Sequence, residues 1–250
     1  LLNLKIEEQE NTLDYFYSTA TFADETEKVT GGSDAFLGEF PYQVSLRQGN
    51  FHFCGGALIS NQEVLTAAHC VIGKTAPFDI VVVTGTISTK TGGQTHRIAE
   101  IIIHDGYIND LTESLKNDIA IIRPHIYQSP IPLPSYPLPD KAPLTVSGWG
   151  MINNMGEFPE ILQKATVYAL SNDMCRSLVP ERTKILDTNI CALNRRGIGA
   201  CPGDSGGPLT YEGQIVGIVS MGYPCGIGIP DMYTRVSEYL DFINGILKKD

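Results

Sequence analysis

The sequence predicts an all-β protein, arranged as sandwiches or barrels, with one helix at its C-terminal end. Three observations support this prediction. Beyond Lys28 the chain consists of short runs rich in Val, Ile and Thr, which are typical of strands. Its 25 glycines and 15 prolines are spread between these runs, where they act as turn residues. Helical periodicity is convincing only near the end of the chain.

Seven runs separated by turn residues are predicted as strands. They cover residues 42–46, 57–59, 80–83, 98–103, 119–122, 164–169 and 215–219. The stretch from Pro130 to Pro139 contains five prolines, and proline lacks the N–H group that a central strand needs. We expect this stretch to be a stiff extended connection between two halves of the protein.

The predicted helix lies in the last residues of the chain. Apolar side chains recur there at three- and four-residue spacing, namely Leu240, Ile243, Ile246 and Leu247. Ser237 is the expected N-cap, and Lys248 and Lys249 suit the negative end of the helix dipole. This pattern predicts a helix that packs on the core.

The charge of the chain is unevenly placed. Its 250 residues carry a net charge of −10, which disfavours nucleic acid and anionic membrane surfaces as partners. The first 28 residues hold seven acidic side chains against two basic ones, so about half of the net charge lies there. This shift in composition marks residues 1–28 as a separate acidic segment. No apolar run approaches the roughly 18 residues that a membrane-spanning helix needs.

The six cysteines form no CxxC pair, so the sequence gives no zinc or thioredoxin pattern. An even number of cysteines in a chain of this size is typical of three disulfides formed in an oxidising compartment. Their spacing does not choose among the possible pairings. We therefore expect a secreted, extracellular protein.

The most informative string is GDSGGP at residues 203–208, because glycines around a serine leave backbone N–H groups free to point at one place. The string also satisfies G-x-S-x-G, the nucleophile elbow of α/β-hydrolases. That fold requires a histidine after the serine in sequence, and none follows Ser205. The five histidines are His52, His69, His96, His104 and His125.

Two upstream strings supply the partners that a serine nucleophile needs. A serine hydroxyl becomes reactive when a neutral imidazole takes its proton, and a buried carboxylate must orient that imidazole. TAAHC at residues 66–70 places His69 beside a cysteine. NDIA at residues 117–120 places Asp118 at the start of an apolar strand. Each string is generic alone, but together they complete a set with Ser205.

The order His69, Asp118, Ser205 resembles the chymotrypsin family of serine proteases, the family from which the general description of this triad comes. The resemblance covers roughly residues 29–250 and includes three further strings, CGG at 54–56, GWG at 148–150 and PDMYTRV at 230–236. It implies two antiparallel six-stranded β-barrels, the first over about 29–130 and the second over about 140–250. The catalytic cleft would lie between them.

The resemblance also implies a role for each residue. Ser205 would attack the scissile carbonyl, His69 would act as base and then acid, and Asp118 would orient the histidine. The N–H groups of Gly203 and Ser205 would bind the oxyanion, and no metal or cofactor is needed. The implied disulfides are Cys54 with Cys70, Cys175 with Cys191, and Cys201 with Cys225.

The string after Lys28 resembles the activation junction of the family. Cleavage after Lys28 by a trypsin-like protease would create an ammonium group at Val29, which would pair with Asp204. The acidic segment is then a propeptide and the chain an inactive precursor. Ser45 and His52 match the residues that hold this aspartate in chymotrypsinogen-like zymogens. The alternative for His52 is a packing histidine.

The specificity pocket differs from that of trypsin. Gly199, followed by Ala200, stands at the pocket base, where trypsin-like enzymes carry aspartate. Gly222, in the substrate-binding segment that begins at Ser220, leaves room for a large side chain. Asp231 replaces the glycine usual on the pocket wall, a combination that resembles the brachyurin group of crab and insect collagenolytic proteases. Asp231 either admits Lys and Arg beside Phe, Tyr and Leu, or turns to solvent or polar partners and merely shapes an apolar pocket.

Two departures from the family pattern, Pro202 and Met221, also alter the cleft wall. The expected partners are protein or peptide substrates, an activating trypsin-like protease and protein protease inhibitors, with the enzyme acting as a monomer. The alternative function is a protease-like binding protein without catalysis. That class usually has a substitution in the triad or its glycines, and all of these residues are intact here.

Overall fold

The computed structural model describes residues 31–74, 79–124 and 129–248. It contains two closed six-stranded antiparallel β-barrels and a short C-terminal helix. The predicted fold class is therefore confirmed. No helix among the described residues is long and apolar enough to cross a membrane.

A two-residue strand, β1 (Ser33–Asp34), comes before both barrels. The first barrel consists of β2 (Gln43–Gln48), β3 (Phe51–Leu58), β4 (Val64–Thr66), β5 (Val81–Thr84), β6 (Gln94–Ile103) and β7 (Ala120–Pro124). Its strands are hydrogen-bonded in the order β2-β3-β4-β7-β6-β5, and β5 pairs with β2 to close the barrel. Its core contains fully buried aliphatic side chains such as Leu46, Leu65 and Ile121.

The second barrel consists of β8 (Pro143–Gly148), β9 (Gln163–Leu170), β10 (Asn189–Leu193), β11 (Pro208–Tyr211), β12 (Gln214–Met221) and β13 (Asp231–Arg235). The order is β9-β10-β13-β12-β11-β8, and β8 pairs with β9 to close it. Along β9 buried and less buried residues alternate, as expected of a strand with one face on a core. Leu144, Val167 and Tyr233 fill this core.

Each predicted run overlaps an observed strand, and the proline-rich stretch contains no strand. Ile131 in that stretch is buried, and its N–H donates to the Leu58 carbonyl at 2.8 Å. The connection therefore lies against the first barrel.

The helices are α1 (Ala68–Val71), α2 (Asn172–Leu178) and α3 (Leu240–Leu247). Two 3-10 turns cover Leu111–Glu113 and Val236–Tyr239. The prediction of Ser237 as N-cap is wrong, because the 3-10 turn comes first and α3 starts only after Tyr239.

The two ends of the described chain cross over between the barrels. Ser33 of β1 lies opposite Lys164 of β9, so the first strand extends a sheet of the second barrel. Ile243 and Ile246 of α3 belong to the same apolar cluster as the first-barrel strands. The division at residues 130–140 thus separates the barrel strands, whereas the terminal segments pack on the opposite barrel.

Candidate active site

The short helix α1 brings His69 to the Asp118 carboxylate. The backbone N–H of His69 donates to Asp118 Oδ1 at 2.9 Å, and its ring Nδ1 lies 2.8 Å from Oδ2. Asp118 is only 1% exposed, so the oxygens of its carboxylate accept hydrogen bonds from His69 and neighbouring groups of the protein. A proton held on Nδ1 leaves Nε2 as the basic nitrogen of the ring.

Two strands of the second barrel complete the surroundings of Asp118. The Ser220 hydroxyl of β12 donates to Oδ2, and the Thr234 hydroxyl of β13 donates to the Asp118 carbonyl at 2.8 Å. Asp118 itself precedes β7 of the first barrel. The carboxylate is therefore fixed by contacts from both barrels.

Close backbone packing brings Ser205 to the same place. Its carbonyl accepts from the Gly55 N–H of β3 at 2.7 Å. The next residue, Gly206, has φ +76°, and a Cβ there would collide with the Thr66 hydroxyl and lie 2.6 Å from the Gly55 carbonyl. Thr66 ends β4, directly before Ala67 and α1. The glycines of CGG and GDSGGP thus let the serine loop lie against the segment that carries His69.

Two backbone hydrogen bonds fix the peptide planes that contain the N–H groups of Gly203 and Ser205. The Pro202 carbonyl accepts from Met151 N–H, and the Asp204 carbonyl from Gly207 N–H, both at 2.9 Å. Because the peptides are planar and trans, the N–H groups of Gly203 and Ser205 point away from these bonds. Neither N–H has a protein acceptor within the described ranges. Two free donors beside a serine have the composition of an oxyanion site.

The Gly203 carbonyl is held by His52. His52 Nε2 lies 2.9 Å from this oxygen, and Nδ1 lies 2.8 Å from the Ser45 hydroxyl. Arg47 Nε donates to the same hydroxyl at 3.0 Å. Burial above all, together with Arg47, lowers the pKa of His52 to about 4 despite the bond to Gly203. A neutral ring fits this chain, with Ser45 donating to Nδ1 and Nε2–H donating to Gly203.

The expected zymogen contact between His52 and Asp204 is not what the structure shows. Asp204 is fully buried and accepts from Gly150 N–H at 2.7 Å and from Cys201 N–H at 2.9 Å. Burial raises the pKa of Asp204 to about 6, although the two N–H bonds oppose this. Ser45 and His52 therefore support Gly203 here. Lys28 and Val29 lie outside the described residues.

A cavity of about 390 Å³ opens beside Ser205. It is lined mainly by the segments before the serine and along β12, and its lining includes Ala200, Pro202, Ser220, Met221 and Gly222. The predicted pocket segments thus meet in one depression next to the candidate nucleophile.

Asp231 lies between Gly199 and Gly222, of which Gly222 lines this cavity. A Cβ at Gly199 would lie 2.6 Å from Asp231 Oδ2, and a Cβ at Gly222 would lie 2.8 Å from Oδ1. Oδ2 accepts from Ala200 N–H at 2.8 Å, and the residue is 7% exposed. This burial excludes a carboxylate turned to solvent, but the bond from Ala200 N–H agrees with the other form of the second interpretation, a carboxylate turned to polar partners. The carboxylate faces the pocket glycines and has Ala200 as a polar partner.

Burial, opposed by the bond from Ala200 N–H and aided by the nearby Asp204 carboxylate, raises the pKa of Asp231 to about 7. Burial also raises the pKa of Tyr233, whose hydroxyl has no hydrogen-bond partner in the part of the chain that the structure describes. Burial therefore shifts both groups behind the pocket toward their neutral forms.

The described cysteines form three disulfides, Cys54–Cys70, Cys175–Cys191 and Cys201–Cys225, which are the pairs that the resemblance implies. The first joins β3 to the residue after His69. Cys54, Cys70 and His69 are also the only cluster of potential metal ligands found in the described ranges. The two sulfurs are bonded to each other and are not thiolates, so this cluster does not fit a metal ion.

Several residues that shape the site have no role predicted from the sequence. Thr234, Asn117 and Gly55 stand inside the quoted strings PDMYTRV, NDIA and CGG, but their contacts join segments far apart in sequence. Only the membership of these residues in the strings pointed to them.

Comparisons with known proteins agree with this geometry. A family model described as Trypsin matches residues 29–243. Chymotrypsin-2 of Vespa crabro is 39% identical over 223 residues, which are 86% of this chain and 98% of the relative. Transmembrane protease serine 11C of Mus musculus is 38% identical over 86% of this chain and 53% of its own length. Trypsin-1 of Astacus astacus is 37% identical over 86% of this chain and 98% of its own.

Proposed function

The chain belongs to the trypsin family of serine proteases, and we propose that Ser205, His69 and Asp118 make it a serine endopeptidase. The observation that carries this proposal is the double hydrogen bond from His69 to a buried Asp118, next to a serine flanked by two free N–H groups. Family membership supports the reaction, which is hydrolysis of peptide bonds, and the geometry supports the proposed roles.

In the proposed mechanism, the Ser205 hydroxyl attacks the scissile carbonyl while His69 Nε2 takes its proton. Asp118 stabilises the imidazolium that forms. The N–H groups of Gly203 and Ser205 bind the oxyanion, where a single donor is typically worth about 3 kcal/mol. His69 then returns the proton to the leaving amine, which leaves an acyl-enzyme. Water, deprotonated by His69, releases the acid product and restores Ser205.

The pocket supports a broad preference before the scissile bond. The cavity beside Gly222 offers room for Phe, Tyr or Leu, and the Asp231 carboxylate next to Gly222 offers a partner for Lys or Arg. This is the preference of brachyurin-like collagenolytic proteases. The names of the relatives do not favour either an apolar or a basic preference, because one relative is a chymotrypsin and another is a trypsin.

We further propose that the chain is a secreted, monomeric precursor, activated by a trypsin-like protease that cuts after Lys28. The support is Asp204, a fully buried acid with no cationic side chain against it among the described residues. An unpaired buried carboxylate is costly, so a new ammonium group at Val29 would find a prepared partner. Protein protease inhibitors would bind the same cleft as substrates.

The test is to purify the intact chain, treat it with trypsin and follow both cleavage and activity. We expect negligible peptidase activity before cleavage after Lys28 and turnover of Phe and Arg peptides after it. Lys28→Gln should stay inactive, and Ser205→Ala should be cleaved but remain inactive. An organophosphonate should label Ser205 only in the cleaved protein. A cleaved wild-type protein that is neither labelled nor active would favour the binding-protein alternative, and a fully active intact chain would refute the precursor.

A further inference from the structure

The backbone before Asp118 has an unusual conformation. Ser114, Leu115 and Asn117 have φ values of +54°, +45° and +57°, and none of them is glycine. L-residues rarely adopt this left-handed region, and they keep it only where the surroundings impose it. Three such residues within four positions, ending directly before Asp118, require an external restraint.

The Asn117 side chain provides that restraint. Its Nδ2 donates to the Gly106 carbonyl at 2.6 Å, in the loop after β6. Its Oδ1 accepts from the Tyr239 hydroxyl at 2.9 Å. The side chain is thus held at both ends by segments that are distant from it in sequence, and its backbone cannot turn without breaking one of these bonds.

Tyr239 is itself firmly placed. It ends the 3-10 turn before α3, is 4% exposed, and its ring makes an edge contact with His104 at a centroid distance of 5.4 Å. The C-terminal segment therefore presents a fixed donor to Asn117.

We propose that Tyr239 and Asn117 are positioning residues that aim the Asp118 carboxylate at His69. This inference rests on the proposed function of Asp118. The conformation of Asn117 sets the direction in which the next residue leaves the loop, and Thr234 fixes the carbonyl of that residue. A carboxylate accepts both the N–H and the Nδ1–H of His69 only in one orientation. Small errors in the placement of such groups reduce rates strongly.

The first test compares Tyr239→Phe with Tyr136→Phe in the activated enzyme. Both changes remove a hydroxyl that donates to an oxygen, but the Tyr136 hydroxyl donates to Glu212. For Tyr239→Phe we expect kcat per titrated active site to fall about threefold to tenfold, the effect of one hydrogen bond, with KM unchanged. The acid limb of the kcat profile should move to lower pH, because a loosened carboxylate stabilises the protonated imidazole less. Tyr136→Phe should match the wild type.

A merely structural role of Tyr239 would lower stability or the number of active sites without changing kcat per site or the pH limb, and that result would overturn the proposal. The failure of the proposed function is separate, because it would show as an inactive wild-type enzyme.

The second test is Asn117→Gly, which permits the left-handed backbone but removes the side-chain restraint. We expect kcat to fall as far as in Tyr239→Phe or further, and the double variant to be no slower than Asn117→Gly alone, because Tyr239 acts through Asn117. The proposal would be contradicted if Asn117→Gly kept the kcat of the wild type. It would also be contradicted if the loss of kcat in the double variant equalled the product of the two single losses, because Tyr239 would then act independently of Asn117.

Discussion

The carboxylate of Asp231 occupies the space that a side chain on Gly199 would need, since a Cβ there would lie 2.6 Å from Oδ2. The two positions therefore constrain each other. A carboxylate on the wall requires glycine at the base, and the reverse arrangement would move the negative charge to the bottom of the pocket.

Exchanging the two residues tests this constraint. In Gly199→Asp combined with Asp231→Gly, we expect kcat/KM for Arg peptides relative to Phe peptides to rise about tenfold to a hundredfold, because the charge then faces the end of a long basic side chain. Matched peptides that differ only before the scissile bond measure the ratio. Gly199→Asp alone should fold poorly, because two carboxylates would compete for one site. An unchanged ratio in the exchanged enzyme would show that Asp231 already acts as the basic-residue partner at full strength.

The ratio of Arg to Phe cleavage should depend on pH. Burial and the nearby Asp204 raise the pKa of Asp231 to about 7, so the carboxyl is neutral in acid and ionised in alkali. The ratio of the two kcat/KM values should rise between about pH 6 and pH 8 and then level off. Taking a ratio removes the ionisation of His69, which both substrates share. Asp231→Asn should give a flat ratio, and a flat ratio in the wild type would count against the proposed basic preference.

The intact precursor should lose stability as pH rises. Burial raises the pKa of Asp204 from 3.8 to about 6. Between these values the folded state binds more protons than the unfolded state, so the free energy of unfolding falls with increasing pH. The expected loss is on the order of 3 kcal/mol. Denaturant titrations at pH 4 to 7 measure it, with Asp204→Asn as control. Equal slopes for the two chains would be inconsistent with an unpaired Asp204 in the precursor.

His52 should affect catalysis through Gly203. His52→Phe keeps a ring beside Trp149 but removes the bond to the Gly203 carbonyl. We expect kcat to fall about tenfold with little change in KM, because the oxyanion donors lose part of their support. Affinity for a peptide boronate, which mimics the tetrahedral intermediate, should fall in parallel. Ser45→Ala leaves the Gly203 bond in place and should have a smaller effect. If the substitution weakens boronate binding no more than it raises KM, His52 does not support the oxyanion donors.

Much of the site could be predicted because the triad strings are local. The order of His69, Asp118 and Ser205 excluded one hydrolase fold and selected another. The resemblance to the chymotrypsin family, which rests on these strings, gave the positions of the pocket glycines. The direction of the Asp231 carboxylate and the choice of His52 between Gly203 and Asp204 depend on segments that meet only in the folded chain, so no local pattern contains them.

Much of the fold could also be predicted from the sequence. The apolar runs predicted seven of the strands. Short strands such as β4, and strands of mixed composition such as β8, β10 and β13, were missed because their apolar residues show no clear periodicity. The start of α3 was misplaced because Ser237, three residues before the helix begins, has the chemistry of an N-cap, whereas the chain uses that segment for a 3-10 turn. Propensity alone does not distinguish these two kinds of turn.

The crossing of the chain ends has a consequence for synthesis. The first barrel is translated first, but Ile243 and Ile246, which cover part of its apolar core, are made only after the strands of the second barrel. While the rest of the chain is being made, that part of the surface stays uncovered and open to aggregation. A premature stop before α3 would therefore damage the half of the molecule that was completed first.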